Sequence, residues 1–203
     1  MVEYGAAYRL QKKIHEQRVA GEAGDTLLLL EHPPTITVGK AGRLENILVP
    51  RQALEQMGIS LYFVDRGGDV TYHGPGQLVG YPILDLSSRG GDLKRYVHDL
   101  EEVLIRTLED FSIGAGRDPQ HVGVWIGHKK IASIGLSIRE WVTMHGFALN
   151  VYPTLEHFSL INGCGLKNRK ATSMEDILGF QPCMEEVTER LLVHFSEVFD
   201  LKT

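Results

Sequence analysis

The segment from residue 122 to residue 151 most constrains the fold of this chain. It contains three strand-like stretches, Val122–Ile126, Lys130–Ile138 and Trp141–Val151, separated by short turns at Gly127-His128 and Arg139-Glu140. Strands joined by turns this short pair with antiparallel neighbours, because a parallel pair needs a long crossover connection. The segment therefore predicts an antiparallel meander.

Helical patterns flank the strands instead of alternating with them. Tyr4–Ala20 has an amphipathic pattern, Asp92 is a predicted N-cap for the clearest helix, and the chain from Val187 is helical again. Two earlier strand-like runs, Thr26–Glu31 and Thr35–Val38, are separated by a proline pair that forbids one continuous ladder. The order predicts an α+β fold, with a mixed, largely antiparallel sheet flanked by helices.

The part of the chain between the early strand-like runs and the helix that begins at Asp92 is rich in glycine. It predicts a short helix around Gln52–Met57 and a strand over Ile59–Val64. A glycine-rich loop over Arg66–Gln77 and a strand over Leu78–Leu86 follow.

Length and composition indicate a single domain over residues 1–203. A chain of 203 residues that is 43% hydrophobic can bury one substantial core. The net charge of −5, without a long Lys/Arg run, argues against nucleic acid or a membrane surface as a partner. The longest aliphatic run, Leu27–Leu30, is far too short to span a bilayer, and no signal-like start precedes it. We therefore expect a cytoplasmic, monomeric protein.

The two cysteines have different surroundings. Cys164 lies between Gly163 and Gly165, where backbone amides are accessible and a substrate can approach closely, so it is the candidate nucleophile. Cys183 follows Pro182 at the start of a helical pattern and is assigned a structural role. Without C-x-x-C or Cys/His ligand spacing, we expect reduced thiols and no metal.

Two other segments indicate a binding site. Arg66–Gln77 combines glycines and a proline with more hydrogen-bonding side chains than a turn requires. Lys129 and Lys130 precede a strand of small and aliphatic residues, as expected for a strand that enters a pocket. One of these lysines could set the charge state of the Cys164 thiol.

Several common site classes do not fit the sequence. The glycine-rich segment lacks the Gly-Lys-Ser/Thr ending of a phosphate-binding loop, and its glycine spacing differs from the dinucleotide pattern. No G-x-S-x-G motif is present for a serine hydrolase. A cysteine protease would need a histidine such as His73 or His145, but its surrounding signature is missing.

Three segments together resemble the lipoyl(octanoyl) transferase family, which shares its fold with the biotin and lipoate protein ligases. They are residues 66–77 (RGGDVTYHGPGQ), residues 127–135 (GHKKIASIG) with residues 144–150 (MHGFALN), and residues 161–165 (INGCG). The likeness extends from about Leu28 to Met174, and the catalytic core is expected over residues 28–203. One departure is Gly163, where a proline is usual. It should loosen the loop without removing a reacting group.

The resemblance implies specific roles for residues of this chain. Cys164 matches the acyl-thioester nucleophile, and Lys130 matches the lysine that lowers its pKa and acts as general acid and base. The residues that match the acyl-binding segments are Arg66, Gly67, Gly68, Asp69, Val70, Thr71, Tyr72, His73, Ser133, Ile134, Gly135, Gly146, Phe147 and Ala148. We further expect an apolar acyl pocket, whose predicted wall residues are Tyr72, Leu78, Ile134, Phe147 and Leu149.

The resemblance also implies a reaction and its partners. An octanoyl group would move from octanoyl-acyl carrier protein to a specific lysine of lipoyl domains, in 2-oxoacid dehydrogenase complexes or the glycine cleavage H protein. The thioester donor is already activated, so no cofactor is expected. Two alternatives stay open: an ATP-dependent lipoate or biotin ligase, which needs no cysteine, and a silent acyl-binding module in which Cys164 only lines a pocket.

Overall fold

A computed structural model describes residues 1–163 and 170–201 of the chain. The helices in this part are α1 (Tyr4–Val19), α2 (Arg51–Gln56), α3 (Leu93–Asp110), α4 (Met174–Leu178) and α5 (Met184–Val198). The strands are β1 (Thr26–Leu30), β2 (Thr35–Val38), β3 (Ser60–Phe63), β4 (Val70–His73), β5 (Gln77–Ile83), β6 (Gly116–Arg117), β7 (Val124–Ile126), β8 (Lys129–Arg139) and β9 (Val142–Asn150). Nowhere in the described ranges is a helix long and apolar enough to cross a bilayer.

The larger sheet has six strands in the order β1-β5-β9-β8-β7-β6, and all its pairs are antiparallel. Neighbours β7, β8 and β9 form the predicted meander. The β8–β9 hairpin turns at Glu140 and Trp141, one residue later than predicted, and both have positive φ. This is the conformation that two-residue hairpin turns need to match strand twist.

Helices cover both faces of the six-stranded sheet. On one face, Leu100 and Leu104 of α3 and Leu191 and Phe195 of α5 join the largest buried cluster. On the other face, Ala7 of α1 packs with side chains of β5 and β9. Asp92 caps α3 as predicted, because its side chain accepts a hydrogen bond from the backbone N–H of Arg95 at 3.0 Å.

The smaller sheet has three strands in the order β3-β2-β4. Strand β2 is parallel to β3 and antiparallel to β4, so the mixed sheet predicted from the sequence is confirmed. The proline pair, Pro33 and Pro34, separates β1 of the large sheet from β2 of the small sheet, as expected. A second buried cluster, which includes Ile36, Leu54 and Tyr72, lies under this sheet.

The prediction of one loop over Arg66–Gln77 is wrong in its middle. Val70–His73 forms β4 and pairs with β2 over its full length. Its β-branched and aromatic residues suit a half-buried pleated surface, and the glycines on both sides supply the turns. The predicted loop therefore consists of two short connections with β4 between them.

Candidate active site

Lys130 lies at the start of β8, where three parts of the chain meet. Its register partner on β7 is Trp125, and Nζ of Lys130 lies 4.7 Å from the centroid of the Trp125 ring. Nζ also donates a hydrogen bond to the carbonyl oxygen of Val122 at 2.9 Å. The lysine ammonium is attracted to the face of the indole ring by the ring's quadrupole. This attraction and the hydrogen bond to Val122 hold the lysine head group in place.

The chain on either side of residues 164–169 converges on Lys130. The backbone N–H of Lys130 donates to the carbonyl of Lys170 at 2.9 Å, and Thr172 N–H donates to the Lys130 carbonyl at 3.0 Å. Gly163 lines the same cavity as Lys130. The predicted nucleophile, Cys164, lies outside the described residues.

Two cavities lie next to Lys130. The outer cavity has a volume of about 540 Å³ and lies between β7, β8 and the short 3-10 helix Leu155–Leu160. The inner cavity has a volume of about 70 Å³ and lies between the segment 66–73 and strands β8 and β9. Both are lined by Val70, Thr71, Lys130 and Ser133. Lys130 is therefore placed where the two cavities adjoin.

The inner cavity gathers nearly all the residues predicted to bind the acyl group. These are Arg66, Gly67, Gly68, Asp69, Val70, Thr71, His73, Ser133, Ile134, Gly135, Gly146, Phe147 and Ala148. They come from three separate segments, and their binding role stays a prediction.

Three of the residues predicted to form the walls of the acyl pocket pack in the buried clusters instead. Tyr72 is buried in the core under the small sheet, and its hydroxyl hydrogen-bonds with Nδ1 of His157 at 2.7 Å. Leu78 and Leu149 pack in the large core with α3 and α5. For Tyr72, strand alternation explains this placement, because its neighbours Thr71 and His73 line the cavity and successive side chains on a strand point to opposite faces.

Gly135 allows the segment at Arg66 to lie against β8. A Cβ atom on Gly135 would lie 3.2 Å from Cδ of Arg66 and 3.3 Å from the carbonyl oxygen of Gly67. The N–H of Gly67 donates to the Leu136 carbonyl at 2.6 Å, beyond the end of β7. Any larger residue at position 135 would push the cavity wall outward.

Arg66 is buried and stabilises the connection between the two sheets. Its Nη2 donates to the carbonyl oxygen and to Oγ1 of Thr37 on β2, both at 2.9 Å. Nη1 donates to the carbonyl of Gly67 at 3.0 Å. These bonds fix the turn that leads into β4 and place the guanidinium beside the inner cavity.

The inner cavity has a further group of aromatic and histidine side chains that the sequence analysis did not assign to it: Tyr4, Tyr81 and His145. Burial raises the pKa of Tyr4 to about 12 and raises that of Tyr81 well above its usual range. Burial also lowers the pKa of His73 and of His145. These four side chains are therefore uncharged at neutral pH. Tyr4 has no sequence signal, because it is on α1, far from the motifs.

A hydrogen-bond chain connects the two cavities. Nδ1–H of His73 donates to Gln77 Oε1 at 3.2 Å, and Gln77 Nε2 donates to Asn150 Oδ1 at 2.9 Å. Asn150 Nδ2 donates to the carbonyl of Thr172, the residue that also bonds to the Lys130 backbone. Buried polar groups that are all paired hold a single arrangement, so this chain positions the strand ends around Lys130.

The fold and the adjoining cavities define the class of protein. A structure of lipoate-protein ligase A bound with ATP superposes with a TM-score of 0.75, at 17% identity, over 94% of this chain and 81% of that chain. A bipartite lipoate protein ligase from Thermoplasma acidophilum gives a TM-score of 0.69, at 16% identity, over 94% and 79%. The chain therefore has the fold of the lipoate protein ligases.

Sequence comparison identifies the family within this class. The lipoyl protein ligase A/B catalytic domain model matches residues 3–196. The octanoyltransferase of Caldicellulosiruptor saccharolyticus is 53% identical over 204 residues, which cover 100% of this chain and 87% of that protein. The octanoyltransferase of Desulforamulus reducens is 45% identical over 202 residues, covering 99% and 89%. The chain belongs to the octanoyltransferase family within the lipoyl protein ligase A/B catalytic domains.

Proposed function

We propose that this chain transfers an octanoyl group from octanoyl-acyl carrier protein to a lysine of lipoyl domains, through a thioester on Cys164. The acceptors would be lipoyl domains of 2-oxoacid dehydrogenase complexes and the glycine cleavage H protein. Membership of the octanoyltransferase family supports the proposal that the transferred acyl group is octanoyl. The finer steps are argued below from the residues around Lys130.

The position of Lys130 is the observation that carries the proposal. Its ammonium lies where a narrow cavity, lined by the predicted acyl-binding residues, adjoins a wide one. The chain that flanks Cys164 is bonded to the Lys130 backbone at Lys170. A nucleophile carried by that segment can act on an acyl group in the inner cavity, while a carrier arm or an acceptor lysine enters from the outer cavity.

The reaction then has two balanced steps. The Cys164 thiolate attacks the carbonyl carbon of the donor thioester, the new C–S bond forms, and the carrier thiolate leaves. The acceptor amine next attacks the Cys164 thioester, an amide bond forms, and Cys164 leaves as a thiolate. The carrier thiolate that leaves in the first step takes the proton of the Lys130 ammonium, so the neutral Lys130 accepts the proton lost by the amine in the second step. An ammonium near the thiol favours the thiolate in the first step.

The proposal is tested by mixing the protein with octanoyl-acyl carrier protein in the absence of ATP and measuring its intact mass. We expect one octanoyl adduct on Cys164, and its transfer when a lipoyl domain is added. In the Cys164→Ala protein the adduct should be absent and transfer reduced by at least a thousandfold, because the covalent route is lost.

Cys183→Ala is the matched control. Cys183 is exposed, precedes α5, and its thiol contacts Glu185 Oε2 at 3.1 Å, so its removal should leave turnover unchanged. An adduct that forms on the Cys164→Ala protein would contradict the proposal. A requirement for ATP and free octanoic acid would instead identify a ligase, and binding without transfer would identify an acyl-binding module.

A further inference from the structure

Glu101 is a buried carboxylate that the proposed reaction does not use. It lies on α3, is 7% exposed, and is not among the residues that line the two cavities. Its Oε1 accepts a hydrogen bond from the backbone N–H of Gly123 at 2.9 Å, and its Oε2 lies 3.2 Å from Nε of Arg117. Taking a carboxylate out of water is costly unless it is paired, so these two contacts determine where the side chain lies.

The backbone N–H bound by Glu101 belongs to the peptide group that holds Lys130. This group joins Val122 to Gly123, and its carbonyl oxygen accepts the hydrogen bond from Nζ of Lys130 at 2.9 Å. The peptide is trans, so its N–H and its C=O point in opposite directions. It therefore lies between the two charged groups, with its N–H bound to the carboxylate and its C=O bound to the ammonium. Hydrogen bonds arranged in such a chain polarise and strengthen one another.

The lysine head group packs directly against this peptide. Gly123 has a φ of 124°, a conformation that residues with side chains rarely adopt. A Cβ atom on Gly123 would lie 3.3 Å from Nζ of Lys130 and 2.6 Å from the carbonyl oxygen of Ala132. Pairing of β7 with β8 begins only at Val124. The sheet ladder therefore does not reach the peptide, and its orientation depends on the bond to Glu101.

Lys130 can use the Val122 carbonyl in both steps of the proposed reaction. An ammonium has three N–H groups and a neutral amine has two, so Nζ can donate to this carbonyl in either protonation state. Fixing one N–H direction also limits the directions of the other N–H groups and of the lone pair that accepts a proton. If the peptide rotated, its own N–H would face Nζ, and the lysine would lose this acceptor.

We propose that Glu101 is a positioning residue for acyl transfer: through the Val122–Gly123 peptide, its carboxylate holds Nζ of Lys130 where the two cavities adjoin. The inference rests on the proposed function, because it takes Lys130 as the group that gives and accepts the protons. Glu101 lies on the other side of the peptide from Lys130 and acts only through it. Its removal should therefore slow the steps that use Lys130 and leave substrate binding unchanged.

Glu101→Ala removes the acceptor of the Gly123 N–H. We expect kcat to fall about 10- to 100-fold, as when a reacting group is misplaced by about 1 Å, while the KM for octanoyl-acyl carrier protein changes less than about twofold. In a Lys130→Ala background the head group is already absent, so adding Glu101→Ala should change the residual rate less than about twofold. A merely structural role would lower the rate by the same factor in both backgrounds, which would overturn the inference.

Two further variants separate the acceptor from the packing of this side chain. Glu101→Gln keeps the size and an oxygen that can accept from Gly123, so its kcat should stay within about fivefold of the unmodified value. Glu101→Met fills the same space without an acceptor, and Arg117 keeps its contact with Glu102 at 2.7 Å. If the alanine variant does not fold, Glu101→Met should show the same loss of kcat. Equal rates for the glutamine and methionine variants would contradict the role of the acceptor.

Amide hydrogen exchange measures the link without using activity. The N–H of Gly123 is buried and bonded to Glu101, so it should exchange slowly in the unmodified protein. In Glu101→Ala or Glu101→Met it should exchange at least about tenfold faster, while the amides of β8 keep their protection. Unchanged exchange at Gly123 would mean that Glu101 does not hold this peptide, and the inference would fail.

Glu102→Gln is the matched control. Glu102 follows Glu101 on α3 and pairs with the same Arg117, but the Gly123 N–H is bonded to Glu101. Its kcat, its KM and the exchange at Gly123 should equal those of the unmodified protein. A folded Glu101→Ala or Glu101→Met protein that transfers octanoyl groups at the unmodified rate would overturn this inference alone. Failure of the unmodified protein to transfer octanoyl groups would overturn the proposed function and this inference together.

Discussion

Lys130 illustrates how one residue can serve both half-reactions. Its ammonium is held over Trp125 and bonded to the Val122 carbonyl, next to the chain that flanks Cys164. With the thiolate present, the charged lysine is favoured; once the thiolate becomes a neutral thioester, this partner is lost. The lysine can then give its proton to the departing carrier thiolate and accept one from the incoming amine.

Lys130→Arg separates the two roles. Arginine keeps the positive charge but does not lose a proton at accessible pH. We expect the acylation burst to be partly retained, while transfer to the lipoyl domain becomes at least tenfold slower. Lys130→Ala should impair both steps. Quenched single-turnover assays of each half-reaction measure this, and a Lys130→Arg protein with an unmodified transfer rate would exclude the base role.

Helix α3 shows that local signals determine an element when packing agrees with them. Its apolar residues recur every three or four positions and form the buried face against α5, and Asp92 caps its first turn. Strand β4 shows the opposite case. The glycines at both ends of Val70–His73 indicate a loop, and only pairing with β2 makes this segment a strand.

Asp92→Ala tests the contribution of the cap. Without the Asp92 carboxylate, the backbone N–H of Arg95 would lose its side-chain acceptor. We therefore expect the free energy of unfolding to fall by about 1 kcal/mol. Urea denaturation measures it. Asp92→Ser, which retains a capping oxygen, should lose a few tenths of a kcal/mol at most. Equal losses for the alanine and serine variants would mean that the cap is not the source of the stability.

At the scale of the whole molecule, three buried histidines link stability to pH. Burial lowers the pKa of His32, His73 and His145, so the native protein holds them neutral. Unfolding exposes them to water, where the pKa returns to about 6.5. The stability from neutral burial is therefore fully present above about pH 6.5 and is lost as the pH falls below it.

We expect the free energy of unfolding to fall as the pH becomes acidic. Each histidine lowers the free energy of unfolding by at most about 1.4 kcal/mol per pH unit below 6.5, for as long as it stays neutral in the native state. Urea midpoints at pH 7.5, 6.5 and 5.5 measure the loss. His98→Gln is the control, because this side chain is 58% exposed and should leave the slope unchanged. A midpoint that is constant from pH 7.5 to 5.5 would contradict the prediction.

The amino-acid sequence by itself determined the local elements and the chemistry of the motifs. Turn residues and strand-like patterns in segment 122–151 predicted the meander, and Asp92 predicted the start of α3. The residue pattern also indicated two segments of a binding site with Lys129 or Lys130, and the family resemblance then chose Lys130 and added the third segment that lines the inner cavity. These features depend on neighbours within a few positions, so they can be read directly.

Only the tertiary structure decided how these segments meet. It brings Tyr4 of α1 to the same cavity as Arg66 and the β8–β9 pair, through contacts between residues far apart in the chain. It also places Leu149 in the core instead of the cavity and turns His145 toward α1. Sheet register and a left-handed backbone at one position result from the sum of many long-range contacts, which no local pattern contains.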